Sequence, residues 1–83
     1  MKVRYFAWLR QRTGVAEEEL PLPEGVRTVG ELARYLGERH PRFGEVLRTP
    51  GVVRFALNQE YVDADAPVGP DDEVAFFPPV TGG

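Results

Sequence analysis

The sequence EVAFFPPVTGG, residues 73–83, decides the fold. Its apolar run from Val74 to Phe77 is typical of a strand that turns alternate side chains to opposite faces of a sheet. Pro78 and Pro79 end that strand, because proline lacks a backbone N–H and fixes φ near the polyproline value. The last six residues are therefore expected to leave the sheet as a tail.

The tail is a candidate functional site because of its reach and its end. Six extended residues span about 20 Å at roughly 3.3 Å each, which is enough to enter another protein's active site. Glycine has no Cβ, so a terminal diglycine passes through a channel too narrow for other side chains. We predict that the Gly83 carboxylate and Gly82 are the reactive end and that Pro78, Pro79, Val80 and Thr81 contact a partner. The alternative is a frayed terminus without function.

Length and composition indicate a single small domain. The chain has 83 residues, of which 42% are hydrophobic, and we predict one domain over residues 1–77 with a protruding tail over 78–83. Apolar runs of membrane-spanning length and a signal-peptide pattern are both missing, which predicts a cytoplasmic location. A net charge of −3 with mixed signs argues against binding to nucleic acid or to a membrane surface.

The residue types that usually carry catalysis or metal binding are sparse. The chain has no cysteine, so any sulfur chemistry must be imported. His40 is the only histidine and has no second ligand of its kind, so a role at a helix end is expected. The aspartates between residues 63 and 72 lack the spacing of a calcium loop and are interpreted as solvated turn residues. The glycines form no phosphate-binding motif. We therefore predict no bound cofactor, no metal and no catalysis by this chain alone.

Periodicity along the chain predicts the remaining elements. Residues 2–9 alternate as a strand with Val3, Tyr5, Ala7 and Leu9 on its core face. Residues 16–22 are expected to return as an edge strand because they include Pro21, and their Glu17-Glu18-Glu19 run is interpreted as a solvated edge. Residues 28–31, Thr-Val-Gly-Glu, form a capping box that starts a helix, and His40-Pro41 ends that helix, whose apolar stripe consists of Val29, Leu32, Ala33 and Leu36. Gly37 is expected to fray its last turn. Residues 42–48 favour a further helical turn.

The second half of the chain adds two strands before the last one. Residues 52–57 alternate with Phe55 inward and Ala56 outward, Asn58-Gln59 is a turn, and Tyr61-Val62 is a short strand. Residues 63–72 are expected to be loop. This order predicts an α+β protein with a β-grasp fold, in which a mixed sheet of about five strands carries one main helix across one face. The first and last long strands are expected to be central and parallel.

The same alternation predicts an apolar patch on the helix-free face of the sheet. It consists of residues from the first, the short and the last strand: Phe6, Trp8, Tyr61, Ala75 and Phe77. A soluble monomer rarely exposes such a patch, which indicates a binding surface. The alternative is a small second core covered by the loop of residues 63–72.

Residues 71–83, DDEVAFFPPVTGG, resemble the C-terminus of the small sulfur-carrier subunits of molybdopterin synthase, the MoaD branch of the MoaD/ThiS ubiquitin-like sulfur carriers. KVRYFAWLR at residues 2–10 and LNQEYV at residues 57–62 are similar to the family's first strand and its Asn-Gln turn. The family commonly has Gly-Asp where this chain has Asp71-Asp72, a difference confined to the turn before the last strand.

The resemblance implies a two-step chemistry at Gly83. An adenylating enzyme related to ubiquitin-activating enzymes would use ATP to convert the carboxylate to an acyl-adenylate, and a sulfur donor protein would make it a thiocarboxylate. The tail would then enter the large subunit, in a heterotetramer of two small and two large subunits. There the sulfur would pass to the cyclic pyranopterin monophosphate precursor of molybdopterin.

Two other functions of a diglycine tail stay open at this point. One is a ubiquitin-like modifier, whose last glycine is joined to lysines of other proteins. The other is a sulfur carrier for another pathway, either thiamin synthesis or tRNA thiolation. Thiamin-type carriers usually lack the Phe-Phe-Pro-Pro step that residues 76–79 form here. A function that does not use the tail also stays open: a plain binding module with an incidental tail would retain its activity without Gly82-Gly83.

Overall fold

The computed structural model describes residues 1–79. Within that range the chain forms five strands and three helices. In chain order they are β1 (Lys2–Tyr5), α1 (Leu9–Thr13), β2 (Glu17–Glu19), α2 (Val29–Arg39), α3 (Pro41–Leu47), β3 (Arg54–Leu57), β4 (Glu60–Val62) and β5 (Glu73–Phe77). None of these helices is long and apolar enough to span a lipid bilayer.

The five strands form one mixed sheet in the order β2-β1-β5-β3-β4. β1 and β5 are central and parallel, with Val3 opposite Val74 and Tyr5 opposite Phe76. The other neighbouring pairs are antiparallel. The predicted α+β β-grasp fold, with central parallel first and last strands, is therefore confirmed.

The core lies between the sheet and the helices. The inward residues of β1 and β5 are fully buried, and Tyr5 and Phe76 stack with their ring centroids 5.8 Å apart. Phe43 of α3 packs against both rings, 5.4 Å from each. The apolar stripe of α2 covers the sheet, and its buried residues are those predicted: Val29, Leu32, Ala33 and Leu36. Burial of this face supplies most of the stabilisation of so short a chain.

The capping box at the start of α2 is present as predicted. The Thr28 hydroxyl accepts a hydrogen bond from the Glu31 backbone N–H at 3.1 Å, and the Glu31 carboxylate accepts one from the Thr28 backbone N–H at 3.1 Å. The hydrogen bond from the Arg27 backbone N–H, and after it the contacts of the carboxylate with Thr28, lower the pKa of Glu31. The loop of residues 63–72 completes the helix start, since the Gly30 N–H donates to the Ala64 carbonyl at 2.7 Å.

The first strand is shorter than predicted. β1 ends at Tyr5, because Ala7 adopts a left-handed backbone with φ 56° and turns the chain into α1. Leu9 is fully buried as expected, but it lies in a helix, whereas Ala7 is exposed instead of facing the core. The alternation of residues 2–9 could not reveal this bend, since Leu9 falls in the core in either conformation.

Gly37 does not fray the end of α2, which was the expectation from sequence. It lies where α2 and α3 cross, and a Cβ on Gly44 of α3 would stand 2.6 Å from the Gly37 carbonyl oxygen. The two helices approach closely at this point because neither residue has a side chain. α3 itself begins at Pro41, directly after the helix break that was predicted at His40-Pro41.

The hairpin of β3 and β4 turns through two residues, as predicted. Asn58 and Gln59 have φ values of 50° and 71°, which suit a two-residue turn between antiparallel strands. β2 is shorter than residues 16–22, and β3 is shorter than residues 52–57, but each lies within its predicted range. β2 is an edge strand, as Pro21 indicated.

Candidate docking face and tail exit

The chain leaves the sheet beside the end of its first strand. β5 ends at Phe77, and the Phe6 N–H donates to the Phe76 carbonyl at 3.0 Å, so β1 and β5 stay paired to their last residues. Pro78 is partly buried and Pro79 is exposed. The other predicted tail residues, Val80, Thr81, Gly82 and Gly83, lie outside the described residues. The tail therefore begins at a fixed point of a rigid sheet.

Apolar side chains gather on the helix-free face next to this exit. We define the apolar patch as Phe6, Ala56, Tyr61, Ala75 and Phe77, which line a shallow depression of about 380 Å³. Tyr61 is 81% exposed and Phe6 is 43% exposed. The rings of Tyr61 and Phe77 lie 5.4 Å apart. Exposed aromatic groups in mutual contact are characteristic of protein-binding surfaces.

Strand pairing explains why these residues meet. Ala75 of β5 lies opposite both Arg4 of β1 and Ala56 of β3, and Ala56 lies opposite Tyr61 of β4. Residues that are opposite each other share a face, so four strands contribute to one surface. The small side chains of Ala56 and Ala75 form its floor and the larger rings form its walls. Sequence reasoning placed Ala56 on this face without including it in the patch.

The rim of the patch is polar. Gln59, Arg4 and Glu73 border the depression. The Arg4 guanidinium lies 5.7 Å from the centre of the Phe6 ring and 4.0 Å from the Glu73 carboxylate. An apolar centre with a paired, charged rim can bind and orient a partner. The residues that line it suit binding better than acid–base or nucleophilic chemistry.

Trp8 was expected in this patch, and the described contacts place it elsewhere. It follows the left-handed turn at Ala7 and precedes α1, so it no longer shares the alternation of β1. The Arg12 guanidinium lies 5.8 Å from the centre of the Trp8 ring, and Trp8 does not line the depression. The end of β1 at Tyr5 is the physical reason for the difference.

The loop of residues 63–72 does not cover the patch. Its Ala66 carbonyl accepts from the Val29 N–H at 2.9 Å, and Val68 is buried in the main core. The loop thus packs against the start of α2, and none of its residues lines the depression. Within residues 1–79, the alternative of a second small core under this loop is excluded.

A partly buried polar cluster, missed at the level of sequence, joins β2 to the helices. Glu18 accepts a hydrogen bond from the Tyr5 hydroxyl at 2.6 Å and lies 2.8 Å from His40 Nε2. Arg39 pairs with its other oxygen at 3.3 Å. Burial opposes ionisation of Glu18, but the hydrogen bonds from Tyr5 and His40 outweigh it and lower its pKa. Burial raises the pKa of Tyr5, which keeps the hydroxyl protonated as the donor.

This cluster corrects two expectations. The Glu17-Glu18-Glu19 run was interpreted as a solvated edge, yet the Glu18 side chain is only 13% exposed because it faces the core side of β2. His40 was assigned a simple role at a helix end, and it instead bonds to a strand 22 positions away in sequence. No described residues group as three or more possible metal ligands.

Asp72 is also more than a solvated turn residue. Its carboxylate accepts hydrogen bonds from the Asn58 side-chain amide at 3.0 Å and from the Gly69 N–H at 2.7 Å. These two bonds lower its pKa. The Asn58 amide oxygen in turn accepts from the Glu73 N–H at 3.0 Å. The β3–β4 turn and the start of β5 are thereby tied together, which fixes the strand that presents the tail.

Comparison with known proteins gives a consistent relationship over the whole chain. Residues 3–83 match the ThiS family. The chain is 42% identical to the molybdopterin synthase sulfur carrier subunit of Chlamydomonas reinhardtii, over 100% of this chain and 98% of that protein. A solved structure from Pyrococcus furiosus, described as molybdopterin converting factor, subunit 1, is 41% identical with a TM-score of 0.79, covering 95% of each chain.

A second solved structure extends the comparison. SAMP1 from Haloferax volcanii is 27% identical and has a TM-score of 0.79, covering 100% of this chain and 98% of that chain. The agreement in fold is as close as that with the Pyrococcus protein, at lower identity. Because the family match spans nearly every residue and the sequence identity to a sulfur carrier subunit exceeds 40%, the chain belongs to the ThiS family of sulfur carriers, in the molybdopterin synthase branch.

Proposed function

We propose that this protein is the sulfur-carrying subunit of a molybdopterin synthase and that it carries the sulfur on the C-terminal carboxylate of Gly83. The observation that carries the proposal is the match to sulfur carriers, which continues through the tail to residue 83. The apolar patch supports it, because it lies on the sheet face next to the tail exit. A partner that accepts the tail can therefore bind the patch at the same time.

The chemistry begins with activation of the carboxylate. A carboxylate is a poor electrophile, so its oxygen attacks the α-phosphorus of ATP on a separate adenylating enzyme and pyrophosphate leaves. A donor protein then releases hydrosulfide, whose sulfur attacks the acyl carbon and displaces AMP. Gly83 and Gly82 present no Cβ on either side of the reacting carbon, so the nucleophile is not hindered. The product is a thiocarboxylate in which one sulfur replaces one oxygen.

The carrier then delivers its sulfur within a larger assembly. The apolar patch docks on the large subunit, and the tail places the thiocarboxylate in that subunit's active site beside the cyclic pyranopterin monophosphate precursor. Two large and two small subunits would form the complete enzyme. This chain positions the sulfur, and the large subunit supplies the catalytic groups.

Intact mass spectrometry tests the proposal directly. The full-length chain is incubated with the adenylating enzyme, ATP and a sulfur donor, beside a variant that lacks Gly83 and a variant with one alanine added after it. Only the full-length chain should gain the mass of one sulfur for one oxygen. Deleting one residue moves the carboxylate by about 3.5 Å, which is large against the roughly 1 Å tolerance of a positioned reaction.

A pull-down on the large subunit separates docking from chemistry in the same three proteins. All three should bind, because the apolar patch is unchanged, and the truncated chain should compete with the full-length one. A full-length chain that never gains sulfur with competent partners, or a truncated chain that still supports dithiolene formation, would contradict the proposal.

A second candidate function is protein modification, and the likeness to SAMP1, a small archaeal modifier protein, favours it. In that role the activated Gly83 would form an isopeptide bond with lysines of other proteins. Incubation of tagged protein with cell extract and ATP distinguishes the two functions. A modifier produces a ladder of high-mass conjugates, whereas a dedicated carrier stays at its own mass.

A further inference from the structure

Three arginines lie on segments that meet or follow the end of the sheet from which the tail leaves. Arg54 is opposite Phe77, the last residue of β5, in the antiparallel pairing of β3 with β5. Arg10 and Arg12 lie on α1, which follows β1, and β1 ends at the same end of the sheet as β5 because the two strands are parallel. We call Arg10, Arg12 and Arg54 the exit arginines.

The charges of the exit arginines are not used inside the fold. The ion pairs among residues 1–79 involve Lys2, Arg4, Arg39 and His40, and none involves an exit arginine. Arg10 and Arg54 are exposed. Arg12 is held over the Trp8 ring at 5.8 Å, a contact that positions a guanidinium without neutralising it.

The opposite end of the same sheet carries acidic residues. Lys2, the first residue of β1, lies between Glu19 on β2 and Glu73 on β5, and Asp71 comes shortly before β5. The whole chain has a net charge of −3, so the basic end is a local feature of the tail exit. A molecule with separated charges of this kind is oriented by the field of a charged partner as it approaches.

Arg54 joins the exit arginines to the apolar patch. Arg54 borders a small depression that also includes Tyr61 and Phe77, so one partner can contact both surfaces. Rim charges next to an apolar centre act mainly on the rate and orientation of association. The complementary chemistry is a cluster of carboxylates on the surface that surrounds the entry for the tail.

We propose that the exit arginines dock against an acidic rim on the large synthase subunit, around the opening that admits the tail. This inference rests on the proposed function and deepens it. The apolar patch supplies affinity, and the exit arginines steer the encounter so that the tail meets its opening first. The partner surface is thereby specified as acidic at the opening and apolar beside it.

The test compares two triple variants with the same change in net charge. The first is Arg10→Glu, Arg12→Glu and Arg54→Glu. The matched control is Arg34→Glu, Arg42→Glu and Arg48→Glu, three exposed arginines on or next to α2 and α3. The association rate constant with the isolated large subunit is measured by stopped flow at low ionic strength and at about 0.5 M salt, where the Debye length shortens to a few ångströms.

At low ionic strength, reversal of the exit arginines should slow association by about tenfold or more, and the control by much less. At high salt the two variants should approach the wild type. A third variant with lysine at all three exit positions keeps the charge and should associate like the wild type. Thermal unfolding measurements check that each variant is folded. If a charge reversal destabilises the fold, the lysine variant still tests whether positive charge at the three positions is sufficient for fast association.

The inference would be overturned if both charge-reversal variants associated equally slowly, because the change in net charge alone would then explain the rates. It would also be overturned if neither variant associated more slowly than the wild type, because charge would then have no effect. Slowed association with the adenylating enzyme alone, and not with the large subunit, would overturn it as well. These outcomes differ from failure of the proposed function, in which the wild-type chain itself would not bind the large subunit or gain sulfur.

Discussion

Replacing Tyr61 with alanine tests whether the apolar patch binds the large subunit. Tyr61 is 81% exposed, so its side chain contributes little to burial in the isolated chain. We therefore expect the free energy of unfolding to change by no more than about 0.5 kcal/mol, as for other surface substitutions. A large effect of this substitution on binding would then belong to the interface and not to the fold.

The expected loss of binding follows from the exposed area. An aromatic side chain can bury roughly 150–250 Å², and four fifths of that area is available here for a partner to cover. At about 25 cal/mol per Å² this amounts to about 3–5 kcal/mol, an upper value because ordering of the interface offsets part of it. A loss of about 2–4 kcal/mol, typical of an aromatic hot spot, raises Kd roughly 30- to 1,000-fold.

Isothermal titration calorimetry with the isolated large subunit measures the change in Kd, and urea unfolding measures stability in parallel. Val15→Ala is the control, since Val15 is an exposed apolar residue outside the patch. Phe77→Ala and the double variant Tyr61→Ala/Phe77→Ala complete a double-mutant cycle. Because the two rings lie 5.4 Å apart, we expect the losses of binding free energy from the two single substitutions not to add up to the loss from the double variant. An unchanged Kd for Tyr61→Ala and Phe77→Ala in folded protein would refute the assignment of the patch.

Three further predictions concern the scaffold. Gly44→Ala should destabilise the fold by about 1–3 kcal/mol in urea unfolding, because its Cβ would meet the Gly37 carbonyl at 2.6 Å, whereas Gly69→Ala, with its nearest contact at 3.6 Å, should cost far less. Thr28→Ala should cost about 1 kcal/mol through loss of the cap of α2 in the same assay. Glu18→Gln should cost about 1–3 kcal/mol at pH 7. In the folded wild-type chain, the pKa of Glu18 is below its ordinary value of 4.5. The ionised Glu18 carboxylate therefore stabilises the fold above pH 4.5, and this contribution is lost as the pH falls through the lowered pKa. The difference between wild type and Glu18→Gln should accordingly shrink in unfolding measurements as the pH falls below 4.5 and through the lowered pKa, and a constant difference would contradict this account.

The architecture could be predicted from the sequence because its determinants are local. The alternation of residues 74–77 and the prolines after them specify a strand that must end, whatever surrounds it. The capping box at Thr28 and the apolar stripe behind it specify where α2 begins and which face it buries. These patterns depend on backbone stereochemistry and on periods of two or 3.6 residues, which neighbouring residues determine alone. The composition of most of the candidate docking face followed in the same way.

Other features were decided only when distant segments met. The alternation of residues 2–9 suits a straight strand as well as the observed bend at Ala7, which removes Trp8 from the patch, so the pattern could not decide between the two. Glu18 resembles its exposed neighbours in sequence, yet its register opposite Val3 turns it toward His40. The course of the loop over the start of α2, which leaves the patch open, likewise depends on hydrogen bonds between segments more than 30 residues apart. Such contacts are not encoded in any short window, because their free energy depends on which elements the completed sheet brings together.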